Sequence, residues 1–466
     1  MRENSSVSSK TLTTMRIATS SRLRVEGPAA GANVVSDKEM RDCTTVSCEN
    51  HITLRILMIA PEPFFEPRGT PFSEFHRIKA LTTLGHQVDL VTYPFGQNVT
   101  MPGLRVFRSL RPPFVRGVKI GPSFAKLPLD ALLALTAWRR GLAPIWAGGV
   151  DGGYDAIHSH EEAGLIGVVL AGLLRLPHLY DMHSSLPQQL TNFSFTRSTL
   201  VRGVFDRIER LMIRRSRVII VICPSLEATV REIDPGADVV LIENAPGSAD
   251  EQATATQAAA VRSAHNLAPA VPLVLYTGTF EAYQGLELLF DAMAAVHRAR
   301  PDARLLLAGG KPEQVERAHA RAKDLGLADV AQFAGERPAS EIPAYLLASD
   351  VLVSPRSKGT NTPLKIYQYL RSGRVIVATR LLTHTQVLSD DTAILTAASP
   401  DAFGDGILAA LADPARASAI GARARHLAET KYSYEAYLEK TRQACDALFT
   451  SDAPIRVAPG INKDVA

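Results

Sequence analysis

Short apolar runs alternate with longer amphipathic segments through most of this chain, and the alternation occurs in two successive series. The first series starts with LRILMIA at residues 54–60, and the second starts with PLVLY at residues 272–276. Short, nearly all-apolar runs are typical of parallel strands that are covered on both faces. Strands that alternate with helices form parallel sheets. The sequence therefore predicts two doubly wound α/β domains.

The two series set the expected domain limits. A first Rossmann-like domain is predicted at residues 52–245 and a second one at residues 262–431. Such domains bind ligands at the carboxyl ends of their strands, so we expect a site in a cleft between the two domains. Residues 1–50 and residues 451–466 have the loose composition of disordered segments.

Composition and charge exclude several classes of protein. The chain has 466 residues and a net charge of +4, which is too small to indicate a nucleic-acid partner. Its four cysteines have no metal-ligand spacing, so we expect no zinc site or disulfide framework, and we expect a reducing, cytoplasmic compartment. The best candidate for a membrane span, residues 163–174, has about twelve uncharged residues where roughly twenty are needed. No Asp-x-Asp pair stands at a strand end, so we expect no metal and no other cofactor.

The segment 354–379, SPRSKGTNTPLKIYQYLRSGRVIVAT, joins a predicted strand to a cation-rich loop, a short helix and another strand. Thr362 followed by Pro363 is typical of a helix start and predicts a helix over residues 363–370. A helix N-terminus offers unpaired N–H groups and the positive end of a dipole, which favour an anion. The segment therefore predicts a diphosphate site, with a purely structural strand–loop–helix unit as the alternative. Three cations would add charge-assisted contacts: Arg356, Lys358 and Lys365.

Motifs spread over residues 54–449 resemble those of retaining, nucleotide-sugar-dependent GT-B glycosyltransferases, the family four type also called glycosyl transferases group 1. The resemblance implies two facing Rossmann-like domains and a C-terminal helix at residues 432–449 that crosses back to the first domain. It also implies transfer of a hexose-like sugar from a nucleoside diphosphate sugar to an acceptor hydroxyl, with retention of configuration and without a metal. The matching elements are LRILMIAPEP, RGTP, LTTLGHQVDLVT, AIHSHEEAGLIG, LYDMHSSLPQQL, VICPS, IENAPG, LVLYTGTFEAYQGLELLFDAM, RLLLAGG, LASDVLVSP and TPLKIYQYLRSGRVIVAT.

The same resemblance implies roles for individual residues. His183, in the DMH sequence, matches the histidine that contacts the transferred sugar, and Gly69 lies in a loop that approaches the donor phosphates and the acceptor. Either Glu161 or Glu162 would position the acceptor hydroxyl, unless the two are only a charge pair at a helix N-terminus. The leaving phosphate is the other candidate for the base. The expected donor-binding residues also include Gly278, Thr279, Gln284, Gly309, Arg356, Lys358, Thr360, Asn361, Thr362, Pro363 and Leu364.

Several positions depart from the family pattern. Two acidic residues with seven others between them are common in the family, and Thr360 and Gln368 stand at those positions. Thr279 and Gln284 stand where the family usually has Arg and Lys. We expect Gln368 to bind the donor ribose and Lys365 to bind the diphosphate, both as part of the catalytic group with His183. The departures leave as an alternative a catalytically impaired GT-B protein that binds a nucleotide, glycan or partner without transfer. A phosphorylase or epimerase is less favoured.

Residues 104–140 combine basic and apolar side chains. Such a surface suits an anionic membrane that carries a lipid-linked acceptor, and helix packing with solvated cations explains the same residues. We therefore expect a glycan or lipid-linked acceptor and a role in cell-envelope glycan or glycolipid synthesis. Peripheral contact with the inner face of the plasma membrane is a further expectation. The basic residues of the region are Arg105, Arg108, Arg111, Arg116, Lys119, Lys126, Arg139 and Arg140.

Overall fold

A computed structural model of the chain describes residues 53–66, 69–118, 126–146, 153–192, 198–244 and 253–450. The segments predicted to be disordered, 1–50 and 451–466, lie outside the described residues, and so does part of the connection between the two domains. The predicted domain limits stay predictions.

Seven strands form the sheet of the first domain, and every neighbouring pair is parallel. They are β1 (Arg55–Ala60), β2 (Gln87–Thr92), β3 (Leu104–Arg108), β4 (Ala156–His160), β5 (His178–Met182), β6 (Val218–Val221) and β7 (Asp238–Leu241). Their order is β3-β2-β1-β4-β5-β6-β7. Strands β2 and β3 are added on one side of β1 and strands β4 to β7 on the other, so the topological switch point lies between β1 and β4. Ligands of doubly wound sheets bind at such a switch point.

The sheet of the second domain has six strands, again with parallel neighbours. They are β8 (Leu273–Thr277), β9 (Arg304–Ala308), β10 (Ala331–Gly335), β11 (Val351–Ser354), β12 (Val375–Thr379) and β13 (Ile394–Thr396). The order β10-β9-β8-β11-β12-β13 places the switch point between β8 and β11. The chain that follows β11 is the cation-rich segment singled out in the sequence.

Helices cover the faces of both sheets. In the described residues they are α1 (Gly69–Thr83), α2 (Lys126–Trp146), α3 (Gly164–Leu174), α4 (Leu186–Asn192), α5 (Thr199–Arg215), α6 (Pro224–Ile233), α7 (Ala255–Ala264), α8 (Leu286–Ala299), α9 (Pro312–Asp324), α10 (Ile342–Ala348), α11 (Lys365–Ser372), α12 (Leu382–Thr385), α13 (Pro400–Ala412), α14 (Pro414–Lys431) and α15 (Tyr434–Thr450). Two parallel-sheet α/β domains confirm the predicted fold class. In the part of the chain that is described, no helix is long and apolar enough to cross a bilayer.

The C-terminal helix α15 belongs to the first domain in space although it follows the second domain in sequence. It packs on α1, β6 and β7. Buried residues on one side of the helix, Tyr437, Thr441, Ala444 and Leu448, face this contact at helical spacing. The predicted crossing back to the first domain is confirmed.

The strands that the sequence did not reveal are mostly edge strands. β3, β7 and β13 are only partly buried, because each has a neighbour on one side alone. Partial burial weakens the continuous apolar run by which interior parallel strands are recognised. The interior strands, which have neighbours on both sides, were predicted, and so was the edge strand β10, at residues 330–333.

The predicted start of the helix after β11 is wrong. The helix α11 begins at Lys365, and its N-cap is Leu364, whose side chain makes no capping hydrogen bond. The N–H groups of Ile366 and Tyr367 bond to the carbonyl oxygens of Pro363 and Leu364, three residues earlier. A tight 3₁₀-type turn therefore precedes the helix, and Thr362 does not cap it. Gly373 ends the helix with a φ of +70°, as its position predicts.

Candidate active site

The first domain places an acid and a histidine at the carboxyl end of β5. His183 Nε2 lies 3.1 Å from Asp181 Oδ1, and Arg77 Nε on α1 donates to Asp181 Oδ2 at 2.9 Å. The exposed side-chain fractions of Arg77 and Asp181 are 1% and 0%. Burial opposes ionisation of Asp181, but Arg77 and His183 hold the pKa of this carboxyl well below its usual range. Asp181 is therefore a fixed negative charge beside His183.

Two further histidines at the end of β4 flank the same carboxylate. The rings of His158 and His160 stack with centroids 4.8 Å apart, and their nearest nitrogens lie 3.6 and 3.8 Å from Asp181 Oδ2. Burial lowers the pKa of both histidines, so both are neutral at pH 7. The ligand-type atoms of these three residues lie within 4.8 Å of one another, close enough to hold a metal ion. Arg77 already donates to Asp181 Oδ2 and would repel a cation, so we assign no metal there. The expected metal independence stays a prediction.

The two predicted acceptor residues have different partners. Glu161 directly follows β4, is buried, and its Oε2 accepts a hydrogen bond from Ser184 Oγ at 2.8 Å. Burial raises the pKa of Glu161 to about 7, although His183 opposes the shift. Glu162 forms an ion pair with Lys126 at the start of α2. Glu161 therefore lies beside the loop that carries His183, and Glu162 anchors a helix.

Two buried glutamates that the sequence analysis did not single out lie in the same domain. Glu62 follows β1, and Glu74 lies on α1 with an exposed fraction of 0%. Neither carboxylate oxygen of Glu74 has a hydrogen-bond partner among the described residues. Burial raises the pKa of both carboxyls well above the usual range, and mutual repulsion adds to the shift of Glu62. The carboxyl ends of β1 and β4 therefore carry acids and histidines.

The second domain presents the opposite chemistry. Lys365, the first residue of α11, has an exposed fraction of 8%, and its Nζ has no hydrogen-bond partner among the described residues. Lys365 Nζ lies 3.8 Å from the centroid of the Tyr276 ring at the end of β8. Burial, with repulsion from Arg356, holds the pKa of Lys365 well below its usual range. A Cβ added to Gly278 would lie 3.5 Å from Nζ, so the Gly278 backbone forms the neighbouring wall.

The other two predicted cations are placed differently from Lys365. Arg356 lies over the Tyr283 ring at 5.0 Å, and one of its nitrogens donates to the Asn361 carbonyl oxygen at 2.8 Å and to Thr383 Oγ1 at 3.0 Å. Burial lowers the pKa of Arg356. This side chain therefore shapes the loop that carries Asn361. Lys358 is exposed. Their predicted phosphate contacts stay predictions.

The loop after β11 also contacts the first domain. Asn361 Nδ2 donates to the backbone carbonyl oxygen of His183 at 2.7 Å, and Thr360 Oγ1 donates to Gln188 Oε1 at 3.2 Å. The carboxyl ends of the two sheets therefore meet in the structure, with His183 at the contact. The hydroxyl of Thr360, where the family often has a carboxylate, therefore makes a hydrogen bond to the other domain.

Two glycines of the predicted donor site have positive φ for different reasons. Gly309 has a φ of +126°, and a Cβ there would lie 2.0 Å from the Gly278 carbonyl oxygen, so the ends of β8 and β9 approach this closely only with glycine. Gly69 has a φ of +55° and open space around its Cβ position. Gly69 is the first residue of α1, at the end of the predicted loop, and its approach to the donor phosphates and the acceptor stays a prediction.

The remaining predicted donor residues line the same end of the second sheet. The Thr279 carbonyl oxygen accepts a hydrogen bond from the Tyr276 hydroxyl at 2.7 Å. Gln284 is half-buried, and its Oε1 has no hydrogen-bond partner among the described residues. Gln368 is half-buried on α11, three residues after Lys365. Thr362 and Pro363 are buried and Leu364 is half-buried in the turn before the helix.

Most described cations of residues 104–140 have partners inside the first domain. Arg105 and Arg140 both donate to Asp89, which fastens α2 and β3 to β2. Arg116 and Arg139 are exposed, and Lys119 lies outside the described residues. Packing therefore accounts for most of this basic region. The cations with partners are Arg105, Arg108, Arg111, Lys126 and Arg140.

Sequence reasoning missed the buried groups around His183, and one of them left a signal. Asp181 stands inside an apolar run two residues before His183, and a charged residue within a buried strand needs a partner. Arg77, which bonds to Asp181, is 104 residues away from it in the sequence. Thr441, which bonds to Arg77, is 364 residues away from Arg77. Only the packing of α1 and α15 brings them to the site.

Comparisons with known proteins agree with this architecture. Residues 76–245 match the glycosyl transferase 4-like domain, and residues 271–413 match glycosyl transferases group 1. The chain is 24% identical over 410 residues to a phosphatidyl-myo-inositol mannosyltransferase of Mycobacterium leprae, covering 87% of this chain and 100% of that protein.

Two solved structures show the same fold. Sucrose-phosphate synthase from Thermosynechococcus elongatus superposes with a TM-score of 0.67 at 22% identity, over 85% of this chain and 99% of the other. HepE from Anabaena in complex with UDP-glucose superposes with a TM-score of 0.63 at 16% identity, over 84% of this chain and 100% of the other. The family predicted from the sequence motifs is confirmed. The first match covers β2 to β7 and the second covers β8 to β13, and the chain belongs to the GT-B glycosyltransferases.

Proposed function

We propose that this protein transfers a hexose-type sugar from a nucleoside diphosphate sugar to an acceptor hydroxyl, with retention of configuration and without a metal. The observation that carries the proposal is the buried amino group of Lys365 at the switch point of the second sheet, whose Nζ has no hydrogen-bond partner among the described residues. A buried amino group without a partner is unfavourable, and charging it there is more so, so an anionic ligand is the partner expected in the working protein.

A diphosphate fits this position for electrostatic reasons. When the bond between the sugar and the diphosphate breaks, negative charge grows on the leaving oxygen. A cation held in place by the Tyr276 ring and the Gly278 backbone stabilises that charge without reorganising. Arg356 increases the positive potential at Lys365. The protein's own cations thus do what a divalent ion does elsewhere, which supports metal independence.

His183 is the residue proposed to contact the transferred sugar. Its ring has Nε2 toward the fixed charge of Asp181, which leaves Nδ1 as the other nitrogen for a substrate. Asn361 of the second domain donates to the His183 backbone, so the donor loop and the histidine loop are in direct contact. A sugar attached to a diphosphate at Lys365 would therefore be presented to the first domain.

The acceptor hydroxyl must lose a proton as it attacks. We propose that attack occurs on the face from which the diphosphate leaves, and that a leaving phosphate oxygen takes the proton. Glu161 lies beside the His183 loop and has a pKa of about 7, so it is ionised in part at neutral pH and can accept a hydrogen bond from the acceptor.

A lipid-linked or envelope glycan acceptor is the finer part of the proposal. The relative from Mycobacterium leprae is a phosphatidyl-myo-inositol mannosyltransferase. On α2 the exposed residues Leu127, Leu135 and Trp138 recur at helical spacing, with exposed fractions of 65%, 42% and 44%, and Arg139 is exposed beside them. Exposed apolar residues with a nearby cation suit peripheral contact with an anionic bilayer. Sedimentation with anionic and neutral vesicles would test the contact, and equal recovery with both would contradict it.

The test of the donor site is thermal unfolding with UDP, GDP, ADP and their sugars, followed by transfer assays with the nucleotide that binds. A bound nucleotide raises Tm by mass action. Nuclear magnetic resonance of the product would report the anomeric configuration. If no nucleotide raises Tm, the donor site is wrongly assigned.

A second candidate is a GT-B protein that binds without transfer. Thr279 and Gln284 replace the usual cations, and Thr360 is engaged between the domains. Tight nucleotide binding without transfer or hydrolysis of any nucleotide sugar would favour this candidate over the enzyme.

A further inference from the structure

We propose that α15 holds the His183 loop in its working position through a buried chain of contacts, which makes Arg77 and Thr441 positioning residues for the transfer step. The inference rests on the proposed role of His183. It adds a residue from the far end of the chain, which touches no substrate, to the determinants of the reaction.

The series of buried contacts begins on α15. Thr441 has an exposed fraction of 1%, and its Oγ1 accepts a hydrogen bond from one terminal nitrogen of Arg77 at 3.2 Å. The Thr441 hydroxyl donates in turn to the Tyr437 carbonyl oxygen at 2.8 Å, which fixes its orientation. The Arg77 guanidinium lies over the Tyr437 ring at 5.0 Å. One turn of α15 therefore contacts the Arg77 guanidinium both at its edge and on its face.

The series of buried contacts continues from α1 to β5. Arg77 Nε donates to Asp181 Oδ2 at 2.9 Å, and the other carboxylate oxygen lies 3.1 Å from His183 Nε2. The planar guanidinium can bond Thr441 and Asp181 at once, because its N–H groups diverge in a fixed plane. The orientation of the Asp181 carboxylate is thereby tied to α15.

The alternative partners of Asp181 do not replace this chain. His158 and His160 are neutral, and their nearest nitrogens are 3.6 and 3.8 Å away, outside hydrogen-bond distance. Arg77 is thus the permanent charge that sets the carboxylate. The contact between Asp181 and His183 is close but not aligned as a hydrogen bond, as is common before substrate binds.

The helix itself is anchored in both domains. Lys440 pairs with Glu243, which follows β7 in the first domain. Tyr432, just before α15, packs edge-to-face on the Tyr367 ring of α11 at 5.1 Å, and its carbonyl oxygen accepts from Arg371 at 3.3 Å. The helix that orients Arg77 is therefore fixed against the donor helix as well.

The test compares three substitutions on α15. Thr441→Val removes the acceptor of Arg77 and keeps the shape, Thr441→Ser keeps the hydroxyl, and Thr450→Val is the matched control. Thr450 makes the same hydroxyl bond to the carbonyl oxygen four residues earlier, is exposed, and does not touch Arg77.

We expect Thr441→Val to lower kcat about tenfold while the donor KM changes less than about twofold, because a misplaced group affects the transfer step more than binding. Thr441→Ser and Thr450→Val should match the wild type.

A spectroscopic readout separates this proposal from the proposed function. Proteins labelled with ¹⁵N-histidine would report the His183 tautomer, assigned by comparison with His183→Ala. We expect a single tautomer in the wild type and a shift of the His183 ring signals in Thr441→Val and in Arg77→Lys, which keeps the charge if the first variant folds poorly. Unchanged His183 signals in both variants would overturn the positioning role. Absence of transfer by the wild type would overturn the proposed function alone.

Discussion

The carboxyl ends of the two sheets meet in the structure, and they carry opposite types of ionisable group, acids in the first domain and an amine in the second. The first domain contributes Asp181, Glu161, Glu62 and Glu74, with the guanidinium of Arg77 already held by Asp181. The second domain contributes the amino group of Lys365, which no carboxylate among the described residues approaches. The difference separates two tasks. The cationic end suits the diphosphate, and the acidic end suits a hydroxyl and a developing positive charge on the sugar.

The largest expected effect is at the acidic end. His183→Ala should lower turnover by about 10²–10⁴-fold, because a group positioned at the reacting sugar is lost. Nucleotide affinity, measured by calorimetry, should stay unchanged, since the diphosphate lies in the other domain. His426→Ala, an exposed histidine on α14, is the control. Retained turnover together with a lower Tm would make His183 a structural residue.

The next effect is at the cationic end. Lys365→Met should weaken nucleotide binding by about 1–3 kcal/mol, because a charge-assisted bond to phosphate is lost. The same substitution should raise the Tm of the free protein, because it removes a buried polar group that has no hydrogen-bond partner among the described residues. Exposed Lys358→Met is the matched control and should change both quantities little.

Lys365 also predicts proton uptake. Its pKa is lowered in the free protein, and a bound diphosphate would raise the pKa again. Nucleotide affinity should therefore fall as pH rises through the pKa of the free protein. Calorimetry at a series of pH values in buffers of different ionisation enthalpy would measure the protons taken up, and zero uptake at every pH would mean that Lys365 does not meet the phosphate.

A smaller effect concerns the wall of the cationic end. Gly309→Ala should destabilise the protein by about 1–3 kcal/mol from backbone strain alone. The added Cβ, 2.0 Å from the Gly278 carbonyl oxygen, should also displace Gly278 and weaken nucleotide binding. Gly326→Ala, at a φ of +73° with open space around the Cβ, should show backbone strain without the binding defect. Denaturant unfolding measures the loss of stability, and calorimetry measures the loss of nucleotide affinity. Equal nucleotide affinity in the two variants would mean that Gly278 is not part of the binding site.

The smallest effect is a pH dependence from the acidic end. Glu161 has a pKa of about 7, and its ionised form accepts a hydrogen bond from the acceptor hydroxyl more strongly than its protonated form, so kcat/KM should fall as pH drops below about 7. Glu161→Gln should remove this limb of the profile. Glu162→Gln should keep it, because Glu162 pairs with Lys126. A limb that persists in Glu161→Gln would belong to another group.

The sequence predicted most interior elements and the segment that carries Lys365. Strand identity is local information, because β1, β8, β11 and β12 are covered on both faces and are apolar almost throughout. Edge strands such as β3 and β13 lack that pattern. The helix start was predicted wrongly because Thr362 and Pro363 have the composition of a cap and a first helical residue, whereas Pro363 begins a 3₁₀-type turn.

What the sequence determined by itself was the alternation that produces two parallel sheets, with the loop of Lys365 at a strand end and the DMH sequence at another. What only the tertiary structure decided was which side chains meet there. The Tyr276 ring under Lys365 and the chain from Thr441 through Arg77 to Asp181 join residues far apart in sequence. The apolar pattern that marks a buried strand is carried by residues adjacent in the sequence, whereas the partner of a buried charge depends on how distant elements pack.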